Sequence, residues 1–188
     1  ERERPIAIQD VVCPVGLVRG AELGARCSYG IVQRSAGRER AIHRRGEQCA
    51  GTVLDGNATD RILQLQKGAN AVLNDLTLRN GSCPTSGGAL FNMNGQLKVN
   101  RCAITGNTAA HAGGVLHQEA SAPTAALFTD CQLTGNSSGR AGGAISTRTS
   151  AGVSLTGTTV SNNRTAEGGI LDVDDGVYGA GFRLKDST

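Results

Sequence analysis

Tryptophan is absent from the 188 residues, and only three Phe and two Tyr are present. Aromatic platforms on which sugars or bases stack are therefore scarce, which argues against lectin-like and single-strand nucleic-acid designs. No apolar run is long enough to cross the membrane as a helix or to serve as a signal peptide, so no membrane span is expected in this chain. The first residue is Glu1 rather than Met, which reads as a processed or excised piece. Lysine is also rare, with three Lys against sixteen Arg, a bias that fits GC-rich coding better than a binding surface. No stretch carries the 3.6-residue period of an amphipathic helix.

Glycine, by contrast, is abundant, with 27 residues. Eight of them form a Gly-Gly-apolar-apolar box that occurs four times, as Gly87-Gly88-Ala89-Leu90, Gly113-Gly114-Val115-Leu116, Gly142-Gly143-Ala144-Ile145 and Gly168-Gly169-Ile170-Leu171. A second box, apolar-x-x-Asn, precedes the last three copies as Ile104–Asn107, Leu133–Asn136 and Val160–Asn163. Asn107, Asn136 and Asn163 lie 29 and 27 residues apart, with Gly81 in the equivalent place 26 residues earlier and Asn57 another 24 before it. Periods of this size indicate a solenoid, whose units bury their apolar faces against their neighbours.

Aligned on these boxes, the apolar positions alternate with the two-residue period of a strand. Ala71, Leu97, Ala126 and Val153 share one column, and Leu73, Val99, Phe128 and Leu155 the next inward one. After a corner, Leu76, Cys102, Cys131 and Thr158 align, then Leu78, Ile104, Leu133 and Val160. A third strand is expected from each Gly-Gly. Three strands per repeat and glycine corners describe an all-β parallel β-helix of about six to seven rungs, with residues 1–50 as an irregular N-terminal cap and 51–188 as regular repeats of one domain. Asn74, Asn100, Thr129 and Thr156 form an expected internal polar ladder. Beside them Asp75, Arg101, Asp130 and Gly157 place a cation between two carboxylates, a structural arrangement.

The paired boxes resemble the Gly-Gly-Ala-Ile and Phe-x-x-Asn repeat of the chlamydial polymorphic membrane proteins, which many bacterial and algal surface proteins share. Gly142-Gly143-Ala144-Ile145 matches the first box fully, while the second has Ile, Leu or Val where the family usually has Phe. The resemblance covers residues 52 to about 172. It implies a right-handed parallel β-helix displayed at a cell surface, often in adhesion, and it carries no catalytic residues.

Six cysteines are disulfide candidates: Cys102 and Cys131 stacked in one column, and Cys13, Cys27, Cys49 and Cys83 outside the regular columns. The stacked pair reads equally as a bridge or as a reduced pair in the core. Four sequons, at Asn57, Asn80, Asn136 and Asn163, fall at or beside one corner and are glycosylation candidates. Together with the cysteines they favour an extracellular or cell-surface location. Arg34, Arg38, Arg40, Arg44 and Arg45 form a basic segment able to bind an anionic partner, an extracellular polysaccharide among them, or else a solvated edge that blocks aggregation. No nucleic-acid motif accompanies it.

Polysaccharide lyases and hydrolases also use this architecture, with acids or bases clustered on one outward face. The fifth position after each Gly-Gly box start reads Phe91, His117, Ser146, Asp172, but Ser146 then separates base from acid, the wrong order for a triad. Asp172, Asp174 and Asp175 read as an acidic turn before a calcium site. An outward column of Arg79, Thr105, Thr134 and Ser161 raises ice binding, but the adjacent column is not a regular threonine rank. The expectation is therefore a non-catalytic surface domain without cofactor or metal, serving adhesion or assembly, with a protein partner or self-association through the solenoid ends. A lyase-like enzyme is the first alternative and an ice-binding protein the second.

Overall fold

One turn of the chain shows how the boxes are used. Ala103–Thr105 is a strand of the first sheet, and Gly106 then turns the chain with φ 64. Thr108–Ala109 adds a two-residue strand to a second sheet, and Gly113 turns again with φ 70. Leu116–Ala120 runs in the third sheet and Ala125–Thr129 in the fourth. Asp130 makes the last turn with φ 52, and Gln132–Thr134 then lands in parallel register on Ala103–Thr105. The computed structural model describes residues 52–67, 70–120, 125–149, 152–174 and 181–188. Over these the same path repeats as a parallel β-solenoid of about four turns. The first, third and fourth sheets have five strands each and the second has four.

Two expectations change. Six to seven rungs counts the whole length, whereas residues 1–51, including the expected cap, lie outside the described residues. Each turn also holds four strands rather than three, because Ser82–Cys83, Thr108–Ala109, Ser137–Ser138 and Arg164–Thr165 pair as a separate sheet. Two residues are too few to show alternation, so only the pairing reveals them. The Gly-Gly dipeptides are themselves corner, and the third-sheet strands begin at the last residue of each box, at Leu90, Leu116, Ile145 and Leu171.

The apolar columns lie where alternation places them. Leu97 pairs with Ala71 and Ala126, and Ala126 with Val153, while Phe128 sits between Val99 and Leu155. Small and large alternate within strands, so fully buried Ala126 leaves volume for Phe128, the largest fully buried side chain. Each buried Leu, Ile or Phe contributes about 1.5–3 kcal/mol of apolar transfer, and in a solenoid nearly all of it is realised between successive rungs. Burial fades at the C-terminal end, where Val173 and Leu184 are 37% and 57% exposed.

One inward column was not expected to be polar. Asn92, Gln118 and Thr147 occupy it in register between Leu65 and Val173, all fully buried. Asn92 closes the following turn on itself, donating from Nδ2 to Gly95 O at 3.0 Å and accepting from Gly95 N at 2.9 Å. The expected ladder at Asn74 and Asn100 is present, with a 2.7 Å amide bond between them, but it is half-buried on the outer side rather than internal.

Candidate functional site

The corner between the first and second sheets concentrates the motif residues. The residue before each second-box Asn turns with positive φ: 64 at Gly106, 66 at Gly135 and 56 at Asn162. That turn points the next side chain into the stack. Asn107 Nδ2 donates to Asn136 Oδ1 at 2.9 Å, and Asn136 Nδ2 donates to Asn163 Oδ1 at 2.9 Å. The same Oδ1 atoms accept the backbone N–H of the preceding rung, from Asn107 to Asn136 at 3.0 Å and from Asn136 to Asn163 at 2.9 Å. Asn107 Oδ1 accepts from Gly81 N at 2.7 Å. Gly81 departs from the box for a steric reason: a Cβ there would lie 2.3 Å from Gly88 O. The repeated carboxamides of the second box are thus an internal ladder, saturated by corner backbone groups that would otherwise be buried without partners.

The ladder divides the glycosylation candidates. Asn136 is fully buried and its amide nitrogen is engaged with Ile104 O, Thr134 O and Asn163 Oδ1. No nitrogen is left at Asn136 for a glycan, which corrects that expectation. Asn163 is half-buried, with its nitrogen on Leu133 O at 2.7 Å. Asn57 and Asn80 are exposed. Asn80 donates to both carboxylate oxygens of Asp55, which also receives Arg79 Nε at 2.8 Å. The Asn57 backbone N–H donates to Asp55 as well, at 2.9 Å. That backbone bond first, with Arg79 and Asn80 adding to it, holds the Asp55 carboxyl below the usual range.

The next corner carries the charge column. Asp75, Arg101, Asp130 and Gly157 all turn with positive φ, between 51 and 58. Arg101 binds Asp75 through two 2.8 Å bonds, and that pairing holds the guanidinium above its ordinary range, with Asp130 adding to it. The cation does sit between carboxylates, but its fork closes on one of them.

Immediately after this corner, Cys102 and Cys131 stack as expected and are free thiols rather than a bridge. Each thiol donates back to the carbonyl two residues earlier, Cys102 to Asn100 O and Cys131 to Thr129 O, both at 3.3 Å. Thr158 and Ser187 make the same bond, to Thr156 O at 3.1 Å and Lys185 O at 3.0 Å. From Cys102 onward, one rung after the purely apolar Leu76, the column holds a small donor that closes the turn, and Cys serves there as Ser or Thr does. Its contact with Cys131 and then burial hold the Cys102 thiol well above its usual range. Cys83 is also free and buried, its sulfur accepting from Arg61 Nη2 at 2.9 Å. Cys13, Cys27 and Cys49, and Arg34, Arg38, Arg40, Arg44 and Arg45, lie outside the described residues.

The file tested for catalysis is assembled in the order expected. His117 pairs in register with Phe91 and Ser146, and Ser146 with Asp172. His117 and Ser146 are buried, and the ring nitrogen Nε2 lies 3.3 Å from Glu119 rather than on the serine. Ser146 Oγ has no hydrogen-bond partner among the described residues. The arrangement has no base on its hydroxyl and so no activated nucleophile. Arg61 caps the same face: it donates to Gly87 O at 2.9 Å and Gln64 Oε1 at 2.7 Å, and its guanidinium lies 4.7 Å from the centre of the Phe91 ring. The sequence reading missed Arg61, although Asp60-Arg61-Ile62-Leu63 aligns with the first Gly-Gly box through the pairing of Leu63 with Leu90. Among the described residues no group of three or more His, Cys, Asp or Glu is placed to hold a metal, and no helix is long and apolar enough to cross a membrane. Asp175, of the acidic turn, lies outside them.

Compared with known proteins, residues 130–148 match the Chlamydia polymorphic membrane protein (Chlamydia_PMP) repeat. The match contains one second box, Leu133–Asn136, and the one complete first box, Gly142–Ile145, so it covers a ladder asparagine and the corner above it. No curated protein and no solved structure matches the chain.

Proposed function

We propose that this chain is a non-catalytic β-solenoid domain of an extracellular or cell-surface protein, acting in adhesion or structural assembly. The observation that carries the reading is that the apolar residues, glycines and ladder asparagines of the two repeated boxes serve the stack as core, corner and ladder, while Thr105, Thr134 and Ser161 turn outward. What such a repeat delivers to the outside is a rigid rod with variable outer columns, which suits presentation of a surface. The likeness of residues 130–148 to a repeat of polymorphic membrane proteins supports placement at a cell surface.

The ends of the rod supply a second means of assembly. At the C-terminal end the backbone N–H groups of Asn163 and Gly169 have no partner among the described residues, whereas those of Asn136 and Gly143, one rung earlier, bond to the rung above. Exposed Leu184 and Val173 lie at the same end. Open edges with apolar neighbours favour docking of a protein partner or a second copy. An extracellular polysaccharide is a partner for the basic segment at Arg34 to Arg45.

The lyase-like alternative receives no support from the file of Phe91, His117, Ser146 and Asp172, in which His117 and Ser146 are buried. The ice-binding alternative is weakened because the hydroxyl column is only Thr105, Thr134 and Ser161 long and ends at Arg79, which is paired to Asp55. Beads coated with the purified chain, scored for retention on cells and on immobilised polysaccharides, test the reading. Saturable retention is the expected result. Depolymerisation of a polysaccharide without retention would move the assignment to an enzyme.

A further inference from the structure

The four sequons are equivalent in sequence and unlike in the fold. An N-glycan requires a carboxamide nitrogen that faces solvent and is not needed by the structure. Asn136 and Asn163 spend theirs in the ladder. Asn80 has its nitrogen on Asp55 at 3.1 and 3.2 Å, and its sequon is locked into the second sheet: the Gly81 N–H bonds Asn107 Oδ1, and the Ser82 N–H bonds Asp60 O at 2.9 Å. Asn57 differs at its side chain, although the Ala58 N–H of its sequon also bonds the next rung, donating to Asn80 O at 2.7 Å. It is exposed, as are Ala58 and Thr59 of the same sequon, and no hydrogen bond engages its side chain among the described residues. Asn57 and Ala58 both turn with positive φ, 52 and 53, which holds the tripeptide as a tight outward turn closed by Thr59 N to Gly56 O at 3.0 Å.

We propose that Asn57 is the one N-glycan attachment site among the described residues. In the transfer, the Asn57 carboxamide nitrogen bonds to C1 of an oligosaccharide carried on a lipid pyrophosphate, the bond from C1 to the pyrophosphate oxygen breaks, the nitrogen gives one proton to a base of the transferase, and the lipid pyrophosphate leaves. No oxidant or reductant is involved. A glycan at Asn57 stands off the outer corner and disturbs no inter-rung bond, whereas one at Asn136 would remove a buried ladder step. The selection is made by the fold, since a chain modified at Asn136 is barred from stacking there.

The inference rests on the extracellular placement proposed above. Peptide mapping by mass spectrometry, on the protein recovered from its own cells in separate surface and interior fractions, with and without an N-glycosidase, tests the two separately. The expected result is conversion of Asn57 to Asp by the glycosidase, with Asn80, Asn136 and Asn163 unmodified, and complete loss of the glycan in a Thr59→Ala chain. Surface-recovered protein with bare Asn57, or a glycan on Asn80 or Asn136 of folded protein, overturns the selection and leaves the placement standing. Recovery only from the interior, unglycosylated, overturns both.

Discussion

Asn136 takes part in five side-chain hydrogen-bond contacts, two through Oδ1 and three through Nδ2. Asn136→Ala would strand several buried groups at once, and since each costs about 1–3 kcal/mol, a destabilisation of about 3 kcal/mol or more is expected, read as a lowered urea midpoint at unchanged slope. Cys131→Thr should be nearly silent, within about 1 kcal/mol, because Thr158 and Ser187 already make that turn-closing bond in the same column. A thiol-reactive dye should label Cys83, Cys102 and Cys131 only after unfolding, with no reductant needed. At Asp55 the sign follows from its lowered pKa. The folded state holds the carboxylate more strongly than the unfolded chain does, so the stabilisation is complete above the unfolded value of about 3.9 and is lost as pH falls through the lower folded one. Asp55→Asn should therefore be less stable than the parent at pH 7 and equal to it at strongly acidic pH. Equal stability at pH 7 would remove Asp55 as a fastener of the first turn.

At the scale of the element, the corners set the rung. Strands of successive turns are about 4.8 Å apart, and the second glycine of the first three boxes faces the backbone of the next rung. A Cβ on Gly114 would lie 2.4 Å from Gly143 O, and one on Gly143 would lie 2.5 Å from Arg164 O. Gly143→Ala must push the two rungs apart, so a loss of about 3 kcal/mol, in the range for strained or overpacked sites, is expected in the same denaturation assay. The contrast is Arg61, which stands in the aligned position of the first described turn, where its buried side chain lies over Phe91 and donates to Gly87 O. Glycine corners were legible in the sequence, but the doublet was expected to open the third strand, which in the structure starts only at the last residue of each box. The two-residue strands beside it were not legible, because pairing with the next rung, rather than any local pattern, makes them strands.

The whole molecule is a one-dimensional stack, in which each rung is stabilised mainly by its two neighbours. Leu184 is largely exposed at one end, so Leu184→Asp should leave stability within about 0.5 kcal/mol while reducing any concentration-dependent association seen by light scattering. Undiminished association would assign it to another surface. Period, strand alternation, apolar columns and glycine corners were determined by the sequence alone, because each depends on spacing along the chain, and a repeat displays that spacing several times over. Which polar residues face inward was decided by the tertiary structure. Asn136 and Asn57 both lie in sequons at the same corner, yet one turn of positive φ before Asn136 aims it into the ladder, whereas Asn57 itself adopts the positive φ and stays outside. Likewise Cys102 and Cys131 were placed in one column by spacing, but only the direction of each thiol, back toward the last carbonyl of the preceding strand, makes them turn-closing donors in place of a bridge. Alternation reports which face a residue is on, and the corner geometry decides what that side chain meets.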